Sequence, residues 1–164
     1  MTERAPKFLL VRLGSLGDVI HAIPSAAALR ARYPDAQIDW LVDPRFTSVL
    51  QLLDGLNDAI PVDPRKSVVA LLGTIGRLRG AKYDAAVDLQ GLLKSAVLAR
   101  LAGARRVIGF PREHLREPAA RFFYSETPDP GRDPHVIRKN LALMRALGVE
   151  DLHAAFPLTL PRTV

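Results

Sequence analysis

The chain has 164 residues, 48% of them hydrophobic and 24% charged, which suits one globular domain with a core of its own. It has no cysteine, which excludes disulfides, thiolate zinc sites and thiol catalysis and fits a reducing compartment. The net charge of +6 favours anionic partners such as phosphates or acidic lipid, whereas the absence of any run of five or six cations speaks against a nucleic-acid partner.

The start, "MTERAPKFLL", lacks the apolar core and cleavage site of a secretory leader. No apolar run approaches the ~18 residues that span a bilayer, so a soluble, cytoplasmic protein is expected. Lys7–Arg12 reads as a buried strand ended by Gly14. A helix follows over Asp18–Tyr33, with Ile20, Ile23 and Ala27 on one face. Pro24 removes a bond to the Ile20 carbonyl and predicts a bend or a loosened first turn. Gln37–Val42 is a second strand, Phe46–Leu53 a short helix, Ala59–Val62 a third strand and Val68–Arg79 a helix. Tyr83–Leu89 is a fourth strand, Leu92–Leu101 a helix and Arg106–Gly109 a fifth strand. The irregular stretch Phe110–Pro134 carries five prolines, and unstructured connections beyond ~12–15 residues are usually functional or mobile. Asp133 and Pro134 open a last helix as N-cap and first residue, and its apolar face (Ile137, Leu141, Met144) runs to a capping Gly148. Phe156–Val164 is an edge strand or a linker.

Five alternations of strand and helix predict an α/β fold, a Rossmann-like open parallel sheet with helices on both faces. Ligands collect at the carboxyl ends of such strands, at the switch point, which selects Gly14–Asp18 and Gln90–Ser95, neighbours in the common doubly wound order. In "VRLGSLGDVIH", Gly14 and Gly17 permit positive φ or a close approach of ligand. Asp18 falls at or near the helix N-cap. It is there either as a cap, contributing about 1 kcal/mol, or as a general base kept ionised by the helix start. The pattern is neither a P-loop nor G-x-G-x-x-G. Asp43, after the second strand, keeps a dinucleotide-binding oxidoreductase domain open as an alternative. No spacing suggests a metal.

Four separated segments, "FLLVRLGSLGDVIHAIPSAAALRARYPDAQIDWLV", "YDAAVDLQGLLKSAVLARLAGARRVIGF", "REPAARFFY" and "HVIRKNLALMRALGV", together resemble glycosyltransferase family 9, and within it the N-terminal half of the lipopolysaccharide heptosyltransferase I branch. The resemblance implies a GT-B glycosyltransferase. Its N-terminal domain binds the acceptor, the Kdo–lipid A inner core of lipopolysaccharide. Its C-terminal domain binds the donor, ADP-heptose. Transfer inverts the anomeric centre and uses no metal or other cofactor. It implies Asp18 of Ser15-Leu16-Gly17-Asp18 as the base, with Ser15 and Gly17 beside it. Gln90 and Lys94 match a family segment at the end of strand four, Arg116 matches its R-E-P, and His135 and Arg138 open its last helix; with His21, these two are expected as supporting residues. Where heptosyltransferase I carries a richly basic loop after strand three, this chain offers only Arg65 and Lys66, which leaves other acceptors open. Residues 1–155 are expected to form the acceptor-binding domain and 156–164 to begin a linker to an absent donor domain, so that the chain alone does not turn over. Peripheral attachment to the cytoplasmic face of the inner membrane follows from the charge and the lipid acceptor. A non-catalytic module that binds anionic glycolipid through Lys94, Arg116 and Arg65 is the other alternative.

Overall fold

A computed structural model describes residues 4–160. Five strands, β1 (Lys7–Val11), β2 (Gln37–Val42), β3 (Asp58–Pro61), β4 (Ala85–Asp88) and β5 (Arg106–Ile108), form one sheet in the order β3-β2-β1-β4-β5. Every pairing is parallel. Such strands are covered on both faces, which explains their nearly unbroken apolar runs. In β1, Phe8 and Leu10 point to one face, where α1 (Leu16–Arg32) and α5 (Val136–Leu143) pack with Ile23, Leu29, Trp40 and Leu141. Leu9 and Val11 point to the other, against Leu78 of α3 (Val68–Ala81) and Ala96 and Ala99 of α4 (Leu93–Leu101). The crossovers from β1 and β4 therefore leave to opposite faces, and a crevice opens between the carboxyl ends of these two central neighbours.

The departures from the sequence reading are local. Helix α1 starts at Leu16, with Ser15 as N-cap and Asp18 one position short of a full turn inside it. It continues through Pro24, which is buried with Ala22, Ile23, Ser25 and Ala26; packing outweighs the lost backbone bond. The short helix after β2 is a 3-10 turn, Pro44–Phe46, leading into α2 (Thr47–Leu50). The stretch after β5 holds two further 3-10 turns, Arg112–His114 and Pro118–Phe123. His135, not Asp133, caps α5; the Asp133 carboxylate accepts from the His135 N–H instead. Gly148 closes the last turn at φ 78°, as expected. Leu158 makes an isolated antiparallel bridge to Leu53 without joining the sheet, and residues 161–164 of the expected tail lie outside the described residues.

Candidate functional site

The crevice between β1 and β4 is a cleft of about 710 Å³. Its lining includes Arg12, Arg45, Arg65, Lys94, Arg116 and Lys139 against only two carboxylates, Asp18 and Asp43. Its field is therefore positive, and a low-dielectric crevice focuses such a field on anionic ligands.

At the β1 side, the Ser15 N–H and hydroxyl donate to Asp18 Oδ2 at 3.1 and 3.0 Å. Asp18 thus closes a capping box as its third helical residue rather than serving as the N-cap. Arg12 Nη2 lies 2.8 Å from the same oxygen. Partial burial pushes the Asp18 carboxyl up, but the Arg12 charge and the hydrogen bonds from Ser15 and Arg12 prevail and hold it below the ordinary value. Arg12 is buried and donates from Nη1 to the Leu89 carbonyl at 2.6 Å, so the ends of β1 and β4 are tied through it. Neither Gly14 nor Gly17 has positive φ. Gly14 is required because a Cβ would come within 2.8 Å of the Phe46 ring.

At the β4 side, the buried Asp88 carboxylate accepts from four donors. Gln90 and Gly91 N–H reach Oδ1 at 2.9 and 3.3 Å, and the Ser95 and Tyr124 hydroxyls reach Oδ2 at 2.9 and 2.6 Å. Gly91 takes φ 72°, which favours glycine there. Gln90 Oε1 accepts from the Leu13 N–H at 2.7 Å and pins the β1–α1 turn. Glu117 Oε2 accepts from the Leu93 N–H at 2.5 Å, capping α4 and leaving its neighbour Arg116 on the cleft wall. Arg65 reaches toward Asp63 and Asp43 at 3.3 and 3.9 Å. Asp43 is held down to about 2, chiefly by the hydrogen bond from Arg45, against its own desolvation. Both Asp43 oxygens accept from Arg45, which ties this acid to its own loop.

Of the expected site residues, Asp18, Ser15, Gln90, Lys94, Arg116 and Arg65 line the cleft. Gly17, Lys66, His21, His135 and Arg138 are not part of its lining. Gly17 faces open space, and Lys66 is exposed on the loop after β3. The rings of His21 and His135 meet edge to face at 6.3 Å, and His135 Nδ1 accepts from the Ile137 N–H as a cap. Arg138 donates to the Leu152 carbonyl at 3.1 Å. Helix α5 instead turns Val136, Lys139 and Asn140 to the cleft, three and four residues apart as one helical face requires. The sequence reading missed Lys139 and Asn140, along with Arg12 and Asp88.

A profile of glycosyltransferase family 9 (heptosyltransferase) matches residues 73–159. Lipopolysaccharide heptosyltransferase 1 of Pseudomonas aeruginosa is 34% identical over 146 residues, covering 84% of this chain and 41% of that protein. The enzyme of the same name from Escherichia coli K12 is 29% identical over 154 residues, 87% of this chain and 48% of that protein. The solved structure of E. coli heptosyltransferase WaaC with ADP superposes with a TM-score of 0.79 at 28% identity, over 88% of this chain and 48% of that one. The chain thus spans about half the length of these relatives.

Proposed function

Since the chain belongs to glycosyltransferase family 9, we propose that its cleft is the acceptor site of an inverting, metal-independent heptosyltransferase that moves heptose from ADP-heptose to the Kdo region of the lipopolysaccharide inner core. A second domain holds the donor in this reading. The observation that carries it is the Asp18 carboxylate, kept ionised and partly exposed at the mouth of a cleft ringed by cations. Asp18 takes the proton of the acceptor hydroxyl as that oxygen attacks the anomeric carbon from the face opposite ADP. Lys94, Arg116 and Lys139 form no ion pair among the described residues, and are free to hold acceptor carboxylates or phosphates.

The direct test is heptose transfer from ADP-heptose to Kdo–lipid A by the enzyme carrying both domains; absence of transfer to any inner-core acceptor defeats the reading. Lys94→Ala and Arg116→Ala should each raise the acceptor KM about tenfold or more, as expected for loss of a charge-assisted hydrogen bond worth ~1.5–3 kcal/mol, while kcat changes less. An unchanged KM in both variants removes them from the acceptor site.

Among the described residues no helix is long and apolar enough to cross a membrane. Peripheral attachment to the cytoplasmic face of the inner membrane is supported by Val68, Val69 and Leu72, all exposed at the start of α3 just after Arg65 and Lys66. This is the carboxyl edge of the sheet, the edge that holds the cleft. The chain should sediment with anionic vesicles at low salt and release as salt rises, since each basic residue near the surface contributes ~1 kcal/mol and is screened. Charge reversal at Arg65 and Lys66 should weaken binding; equal binding to neutral vesicles opposes this attachment.

A further inference from the structure

Resting on the reading of Asp18 as base, we infer that Arg12 is a positioning residue that engages one carboxylate oxygen, Oδ2, and leaves Oδ1 as the atom that receives the acceptor proton. All three polar contacts to this carboxylate converge on Oδ2: Arg12 Nη2 at 2.8 Å, the Ser15 N–H at 3.1 Å and the Ser15 hydroxyl at 3.0 Å. None of the described residues hydrogen-bonds Oδ1. An oxygen with three donors has no lone pair to spare for a fourth, whereas its twin is open on a side chain that is 40% exposed.

Arg12 is fixed independently of Asp18. It is buried, its guanidinium is held by the Leu89 carbonyl at 2.6 Å, its N–H bonds the Leu41 carbonyl, and its own carbonyl accepts from Trp40 Nε1 at 3.1 Å. The carboxylate therefore has a rigid anchor on one oxygen and a free one beside it. In the transfer step the acceptor O–H proton moves to Oδ1. The oxygen's electron pair forms the new bond to the anomeric carbon, and the bond from that carbon to the diphosphate breaks, its pair leaving with ADP. The contacts on Oδ2 persist throughout, so no donor has to be displaced for the proton to arrive.

The other titratable or charged groups around Asp18 are His21 on its own helix and, lining the cleft, Asp43 paired with Arg45 and Arg65, the cations Lys94, Arg116 and Lys139, and His114. These are common to every variant below, so a difference between variants reports the Arg12 contact. The test is Arg12→Met, which keeps the unbranched apolar stem and loses the guanidinium and its charge, beside Arg12→Lys, which keeps charge. Two readings are taken: a carbon-13 titration of the Asp18 carboxyl in this chain, and the pH dependence of kcat/KM in the enzyme carrying both domains. In Arg12→Met the Asp18 midpoint and the acid limb of kcat/KM both move to higher pH. Its kcat falls about tenfold to a hundredfold with the acceptor KM little changed, the mark of a misplaced group rather than lost binding. Arg12→Lys recovers part of both. A folded Arg12→Met with an unmoved midpoint, or with an unmoved acid limb, overturns the inference. Should Arg12→Met not fold, Ser15→Ala removes another Oδ2 donor from an exposed site, and the same upward displacement is expected at smaller size; none overturns it. Normal turnover by Asp18→Asn would instead show that the base itself is misassigned.

Discussion

Asp18→Asn lowers turnover at least about a hundredfold while the domain stays folded. The lower bound is the small end of general-base catalysis, ~10²–10⁴ in rate, which corresponds to ~3–5.5 kcal/mol of barrier. The asparagine keeps the volume and an oxygen that can accept from Ser15, so the capping box survives in part. The lost ion pair to Arg12 involves a carboxylate that is substantially exposed, and such pairs contribute little to folding. Acceptor affinity, which the proposed function assigns to Lys94, Arg116 and Lys139 of the cleft lining, should change only a few-fold. A transfer assay run beside a thermal melt separates the two effects. Near-normal turnover in a folded variant rejects Asp18 as the base. Loss of turnover with binding intact sets aside the non-catalytic glycolipid module, for which Asp18 has no task.

The location of this cleft is legible in the sequence. Two apolar strands each end in a polar loop, "RLGSLGD" and "DLQGLLKS", and the alternation of elements makes them neighbours. The roles inside the loops were less legible because they depend on contacts far along the chain. Arg12 looks like a strand-end surface residue until its guanidinium meets the carbonyl of Leu89, 77 positions later. Gly14 suggests a special backbone angle, yet its constraint is the ring of Phe46 against it. Ser15-Leu16-Gly17-Asp18 carried the S-x-x-D spacing of a capping box, a local signal that would have placed the acid inside the helix. His135 and Arg138 are expected from the family motif that opens the last helix; the structure makes His135 the cap of that helix and turns Val136, Lys139 and Asn140 to the cleft. Residues three and four apart share a face wherever a helix begins, so which face meets the cleft is set by the packing of α5 on α1, a long-range contact.

Asp88→Leu should destabilise the domain by roughly 3–5 kcal/mol, since each buried donor left without an acceptor costs about 1–3 kcal/mol. The side chain is wholly buried. Its two oxygens are what the Gln90 and Gly91 N–H groups and the Ser95 and Tyr124 hydroxyls point at. Leucine fills the volume and satisfies none of them. A fall in Tm of about 10–15 °C follows for a domain of this size, measurable by calorimetry. Asp88→Asn is milder, since both hydroxyls can turn to accept from an amide. It also carries a pH signature. Burial pushes the Asp88 carboxyl above its ordinary range, against the pull of those four donors. A group raised on folding contributes stability that is fully present below its unfolded value and lost as pH rises through its folded one. Wild-type stability therefore declines across that window, and Asp88→Asn flattens the decline. The same substitution reaches the cleft, because the turn that begins on Asp88 carries Gln90 to the Leu13 N–H and Lys94 to the cleft wall. Turnover in Asp88→Leu should fall even at temperatures where the domain remains folded. A variant within about 1 kcal/mol of wild type would mean that this network contributes little to holding the two loops together.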